Sequence, residues 1–391
     1  MLHFLPSRFK EIFILQMIVL LSFVIVGLFT FPFILIAYLL LFKTHRLLYR
    51  AVVNRLCYFV WIHFTYITQW WNGLKLRLYI NEETLKHIGK EHALIIMNHK
   101  YDIDWVTTWI FAEKFGVLGG GQSFAKHSLK YIPIIGWIWS FNGTIFLNRD
   151  YKKDKDIIDK ELEGFNKSLP GYYHVLLIYP EGTRFTQKKL EASNEVARSK
   201  GMPELKHCLL PRSRGFVEVV KNLRGQIDAI YNLTVAFPDS VHPSVKDVNT
   251  KQPGFTMRNV LSSKVKEGDL ACERLLLKDL PESDEELTSY LQELFRKKDS
   301  LFDHYVNSGK FPGQYHTIKP PVIGMVINCI TFLVIWSVLG CWLCHTLWVS
   351  SWIIRSVIVV VIIIILLVIQ MLMSVTQAEK GSSYGIKEKS H

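Results

Sequence analysis

The chain lacks the residues that usually build a metal centre or a disulfide framework. Its six cysteines are scattered along 391 residues. Only Cys341 and Cys344 form a CxxC pair, with no second pair and inside an apolar run, which argues against a zinc site. Free thiols in a reducing compartment are the expected state. No cluster of His, Cys, Asp and Glu has metal-ligand spacing, so neither a metal nor a resident cofactor is expected. Gly119-Gly120-Gly121 lacks the Gly-Lys-Ser/Thr ending of a phosphate-binding loop and reads as a flexible loop. The N-terminal apolar run is too long for a signal-peptide core and has no clear small-residue cleavage site. Internal repeats and low-complexity stretches are absent.

What is present is positive charge and long hydrophobic segments. Lys and Arg outnumber Asp and Glu by 46 to 34, for a net charge of +12. In a soluble chain this excess would suggest nucleic acid. Beside long apolar runs it points instead to an anionic bilayer surface or a phosphorylated substrate, and no nucleic acid. Residues 12–42 are nearly all apolar, more than the roughly 20 needed to span a bilayer. With Gly27 and Pro32 inside, they suit one long tilted helix or two shorter helices that dip into one leaflet and return. Residues 322–347 and 356–373, separated by an aromatic link and Arg355, read as a transmembrane hairpin. Lys43, Arg46, Arg50 and Arg55 follow the first run, and Lys310, Lys319, Lys380, Lys387 and Lys389 flank the hairpin. The positive-inside tendency places the central domain and the tail in the cytosol. Lys387 and Lys389 resemble a dilysine retrieval signal, which implies residence in the endoplasmic reticulum membrane.

The layout is therefore an anchor and basic linker (1–64), a globular domain (65–312), the hairpin (313–376) and a tail (377–391). Within the globular domain, residues 76–80, 93–97, 144–147, 175–179 and 229–237 have the length and composition of buried strands. Residues 154–169 and 283–307 have helical spacing, the second opened by a Ser283 to Glu286 capping box. Alternating strands and helices predict an α/β fold with a mostly parallel sheet flanked by helices. Such sheets carry their sites at the carboxyl ends of strands.

Two motifs stand at such ends. His99, preceded by Asn98, follows the run 93–97, and Asp104 comes five residues later. Five helical positions differ by about 140°, so the pair meets only if His99 lies on the loop and Asp104 in the first helical turn. There a carboxylate also suits the helix dipole. Imidazole can take a proton from an alcohol near neutrality, and a carboxylate on its far nitrogen fixes the tautomer. Asp102 competes locally for that role. The second motif is Tyr179-Pro180-Glu181-Gly182-Thr183-Arg184. Gly182 permits a tight turn, Glu181 can hold a loop, and Arg184 offers a planar fork for phosphate. Arg149 ends another strand-like run.

Four blocks in order resemble the glycerolipid acyltransferase family. They are His99-x4-Asp104, Gly143 to Arg149, Tyr179 to Arg184, and the segment around Pro211. The resemblance covers about 65–240, and the wider layout is similar to the longer animal 1-acylglycerol-3-phosphate acyltransferases. It implies transfer of an acyl group from acyl-CoA, a co-substrate, to a lysophospholipid such as lysophosphatidic acid. It further implies His99 as base, Asp104 as its partner, and Lys126, Arg149 and Arg184 at the acceptor phosphate. Asn98, Glu181, Gly182, Thr183 and Pro211 belong to the same substrate-binding set. Lys100 and Tyr101 replace the family's usual Gln-Ser, Asn148 stands for Asp, and Arg212 and Arg214 replace apolar neighbours of Pro211. These departures bear on acceptor identity. Two alternatives stay open: another acceptor, lysophosphatidylinositol or a lysocardiolipin-like lipid, and a non-catalytic membrane protein that binds anionic lipid.

Overall fold

The computed structural model describes residues 7–238, 254–319 and 321–375. The dilysine-like tail therefore lies outside the described residues. Eight strands form one mixed sheet. They are β1 (Lys75–Tyr79), β2 (Ala93–Met97), β3 (Gly121–Lys126), β4 (Ile145–Leu147), β5 (Val175–Ile178), β6 (Ala229–Ala236), β7 (Glu267–Leu276) and β8 (Tyr315–Ile318). Their order is β4-β3-β5-β2-β6-β7-β1-β8. From β4 to β6 every neighbour is parallel, as is β1 with β7; β6 with β7 and β1 with β8 are antiparallel.

The helices of at least ten residues are α1 (Phe13–Leu41), α2 (Arg46–Tyr66), α3 (Trp105–Lys114), α4 (Tyr151–Leu162), α5 (Gln187–Ser199), α6 (Ser213–Leu223), α7 (Asp284–Ser308), α8 (Val322–Val349) and α9 (Trp352–Val375). Alternation in the central strands sorts them into two layers. Ala93, Ile95 and Met97 of β2 join Val175 and Leu177 of β5 beneath α1, α2 and α3. Leu94, Ile96, Leu176 and Ile178 face the other way, onto α4, α6 and α7. Every residue of β2, β5 and β6 is buried; β2 and β5 are accordingly apolar on both faces, and β6 also buries Asn232 and Thr234.

The helix expected over 154–169 runs Tyr151–Leu162, capped by Asp150, whose carboxylate accepts from Lys152 N at 3.1 Å. The predicted capping box is present at α7. Ser283 Oγ accepts from Glu286 N at 3.2 Å and donates to Glu286 Oε2 at 2.9 Å.

Three strands had no expectation. β3 and β8 are short and polar, and β7 carries charge on an otherwise core-like run. Its charges are neutralised across the sheet. Asp269, fully buried, accepts from Arg77 Nε and Nη2 at 2.7 and 2.6 Å and from Tyr305 OH at 2.6 Å. Arg274 donates to both oxygens of Glu91 at 2.8 and 2.7 Å. The glycine run is a correction: Gly119 and Gly120 are buried where α2 presses on the sheet, not in a flexible loop. A Cβ on Gly119 would lie 2.2 Å from Asn54 O, and one on Gly120 2.4 Å from Tyr173 O. These glycines permit close approach of backbone.

Residues 13–41 form one continuous helix across Pro32, not a returning pair. Among the described residues, two helices, α1 and α8, are long and apolar enough to cross a membrane. One face of α1 packs on α2 and on the 134–141 segment, where Ile134 Cγ2 lies 2.1 Å from the site of a Cβ on Gly27. The other face exposes Leu28, Phe29, Phe33, Ile36, Leu39 and Leu40. The expected basic linker is in fact the start of α2, and Arg50 donates to Gly164 O at 2.9 Å.

Removing Arg77 strands a buried carboxylate, and breaking such a pair costs about 3 kcal/mol or more. Arg77→Met should lower the thermal unfolding temperature in detergent clearly. A shift within error would mean that Tyr305 alone satisfies Asp269.

Candidate active site

Because β2, β3, β4 and β5 are parallel, their carboxyl ends share one edge of the sheet. His99 follows β2, Lys126 ends β3, Arg149 follows β4, and the 179–184 turn follows β5. All of these line one cleft of about 1030 Å³. Its wall also carries an apolar set, Trp61, Trp105, Trp109, Ala112 and Leu118.

Asp104 is the residue immediately before α3 and is fully buried. Its Oδ1 and Oδ2 lie 3.1 and 3.0 Å from His99 Nδ1. The expected geometry, loop His and helix-start Asp, is what the turn between β2 and α3 produces. Asp104, not Asp102, is the partner. Tyr101 N–H donates to Asp104 Oδ2 at 3.2 Å and Tyr179 OH to Oδ1 at 3.4 Å. The Tyr179 ring stacks on the His99 ring, centroids 4.0 Å apart. With Nδ1 engaged by the carboxylate, Nε2 is the nitrogen left for a substrate.

The backbone of His99 is held from both sides by the second motif. Its N–H donates to Glu181 Oε1 at 2.8 Å, and its C=O accepts from Phe185 N at 2.7 Å. The other Glu181 oxygen accepts from Leu209 N at 3.1 Å. Glu181 thus joins three loops at the cleft wall. Burial pushes its carboxyl up to about 7, against the two N–H donors. Burial also pushes the His99 imidazole below its ordinary range; Asp104 opposes this, and Arg184 and Lys189 reinforce it. The Tyr179 phenol is raised by burial, then by Asp104, so it stays a donor.

Asn98 is not in the cleft. Its amide extends the β2–β6 ladder, accepting from Val235 N at 2.9 Å and donating to Val235 O at 3.1 Å. Gly182 has φ of +69°, and its missing side chain makes room for Arg212, whose Cδ lies 3.1 Å from the Cβ position. Thr183 Oγ1 accepts from Lys189 Nζ at 2.7 Å. Pro211 lines the cleft and leads into Arg212, whose N–H donates to Pro180 O at 2.8 Å. Arg149 adopts φ of +66°, a left-handed conformation that costs a non-glycine residue energy and is concentrated at functional sites. Lys126 is exposed at the end of β3, in register with Leu147, two residues before Arg149. Lys100 is half-buried outside the cleft lining, above the rings of Phe185 and Phe302 at 4.0 and 4.6 Å. Among the described residues, no group of three or more His, Cys, Asp and Glu side chains could hold a metal ion.

An acyltransferase family model matches residues 77–237, and an acyltransferase C-terminus model matches 259–331. Human 1-acyl-sn-glycerol-3-phosphate acyltransferase gamma is 34% identical, with 97% of each chain covered. The chain belongs to the 1-acyl-sn-glycerol-3-phosphate acyltransferase family. The human delta enzyme is 36% identical over 70% of this chain and 69% of its own. Among solved structures, the 1-acyl-sn-glycerophosphate acyltransferase PlsC of Thermotoga maritima is similar. It has 17% identity and a TM-score of 0.43, covering 76% of this chain and 98% of that one. For this acyltransferase, Tyr179, Lys189 and Arg212 join the site beyond the expected set. Tyr179 could have been found as the residue ending the β5 run. Lys189, on a helix rich in lysine, carried no local signal.

Glu181→Gln keeps the shape but leaves one amide N–H facing either His99 N–H or Leu209 N–H, an unmade bond costing about 1–3 kcal/mol. Transfer activity should fall at least tenfold with little change in expression. Unaltered kcat would show that the loop needs no carboxylate.

Proposed function

We propose that this enzyme moves a fatty acyl group from acyl-CoA to the free glycerol hydroxyl of lysophosphatidic acid, forming phosphatidic acid. The observation that carries this is the buried His99–Asp104 pair in a cleft that also holds Arg149, Arg184 and Lys126. His99 Nε2 takes the hydroxyl proton as the oxygen attacks the thioester carbonyl. The tetrahedral intermediate collapses, the C–S bond breaks, and the imidazolium returns the proton to the departing thiolate. Asp104 holds the tautomer and balances the imidazolium. Arg149, Arg184 and Lys126 bind the acceptor phosphate. The apolar tryptophan wall suits an acyl chain. A catalytic pair is what a purely lipid-binding protein has no use for, so the enzymatic reading is the better supported one.

We further place the enzyme in the endoplasmic reticulum membrane with the catalytic domain in the cytosol, on the support of flanking charge and the tail lysines.

His99→Ala should lower coenzyme A release from oleoyl-CoA and lysophosphatidic acid by about 10³-fold or more, while the protein stays folded in membranes. Equal rates in the two proteins would overturn the base assignment. The base must be neutral, and burial holds the folded imidazole below its ordinary 6.5. Activity should therefore persist down through that pH and fall only as acidity protonates His99. An acid limb in kcat/KM centred above 6.5 would contradict that environment.

A further inference from the structure

Of the 28 residues of α8, only Gly324 and Asn328 are buried. Four residues apart, they lie on one face of the helix. That face meets α2 and α3, the two helices that carry the tryptophan wall of the cleft. Asn328 Nδ2 donates to Ile62 O of α2 at 3.4 Å and to Gly324 O at 2.7 Å. Ile62 adjoins Trp61. A Cβ on Gly324 would lie 2.7 Å from Glu113 Oε1 of α3 and 3.9 Å from Tyr58 OH of α2. Glu113 follows Ala112 and comes four residues after Trp109. Trp61, Trp109 and Ala112 line the cleft, and the Trp109 ring centroid lies 4.8 Å from that of Trp61 and 4.7 Å from that of Trp105. Farther along α8, Trp336 Nε1 donates to Ser22 Oγ of α1 at 2.8 Å. In a bilayer, helices associate where a small residue lets backbones approach and where a polar side chain bonds across the gap. Gly324 and Asn328 supply one of each, on a helix that is otherwise apolar.

We propose that α8, docked through Gly324 and Asn328, buttresses the tryptophan wall and thereby sets how strongly the site prefers a long acyl chain. The inference rests on the reading above that this wall takes the acyl chain. α3 has ten residues, so a push on Glu113 near its end moves Trp109 and Ala112 with it. Close-packed interiors transmit such displacements, because few voids exist to absorb them. Gly324 and Asn328 do not themselves line the cleft, and they act as positioning residues. The C-terminal membrane hairpin is thus a working part of the acyl side of the site as well as an anchor.

The test uses the full-length enzyme in mixed micelles, with lysophosphatidic acid as acceptor and oleoyl-CoA or octanoyl-CoA as donor. The readout is the ratio of the two kcat/KM values. Gly324→Leu drives a side chain against Glu113 and should lower the oleoyl preference about tenfold, the worth of about two buried methylenes. KM for lysophosphatidic acid should stay as in wild type. Adding Glu113→Ala to Gly324→Leu reopens the space and should recover most of the preference, a coupling that two independent sites would not show. Val334→Ala, on the exposed face of α8, should leave the ratio as it is. An unchanged ratio in Gly324→Leu would overturn the inference. So would an equal loss with both donors, which is what a general loss of folded enzyme produces. If Gly324→Leu does not fold, Asn328→Ala decides by the same ratio, since it removes the bond to Ile62 O. Ala112→Leu separates the two readings, because it narrows the wall itself. No change of ratio there would overturn the wall as the acyl side of the cleft. A ratio that moves in Ala112→Leu but in neither α8 variant would overturn only the buttress.

Discussion

The site depends on one buried carboxylate whose partners are backbone N–H groups. Glu181 accepts from His99 N and Leu209 N, and so ties the loop after β2 and the loop before α6 to the turn after β5. The His99 carbonyl is held in the same turn by Phe185 N. With both backbone groups of His99 fixed, its ring has little freedom left. The Tyr179 ring on one face and Asp104 at Nδ1 remove the rest. Such fixing would serve the base role proposed for His99, because misplacement of about an ångström can cost a hundredfold in rate.

Charge in the cleft is segregated by burial and backbone rather than by surface pairing. The carboxylates in the cleft wall, Glu181 and Asp154, are occupied by backbone N–H donors. Cations project from the ends of β3 and β4, from the β5 turn and from α5 and α6. Two local conformations make this possible: the left-handed Gly182 that admits Arg212 and the left-handed Arg149. The strain at Arg149 is carried by the surrounding β4–α4 connection, where Asp154 accepts from Asn148 N and Asp150 N at 2.8 and 3.1 Å.

The helical layer beneath the cleft is also the apolar one. α1 and α2 share a core with β2, β5 and α3, and the tryptophans of α2 and α3 reach the cleft from that side. The exposed apolar face of α1 and the long helix α8 give the protein its membrane-seeking surfaces. The cleft's apolar wall is therefore built on the layer that carries those surfaces, which suits substrates that are themselves amphiphilic.

Much of this was legible in the chain. The apolar runs at 93–97 and 175–178, with polar motifs at their ends, announce buried parallel strands, and His99-x4-Asp104 announces an imidazole with its carboxylate partner. A strand-to-helix turn of that length leaves few ways to bring the two together. Charged β7 was hidden, because Asp269 and Arg274 look like surface residues until Arg77 and Glu91 stand across from them. Asn98 looked like a ligand and is a strand extension, because its amide reaches β6, more than a hundred residues away. Lys189 was silent for the same reason, and Arg212 stood out only as a charged neighbour of Pro211. A buried cation is recognised by what surrounds it, and here the surroundings come from segments that meet only when the sheet brings their ends to one edge. Local pattern determined the strands and the pairing of His99 with Asp104. Long-range packing determined which charges share the cleft, since burial and proximity are properties of the assembled chain.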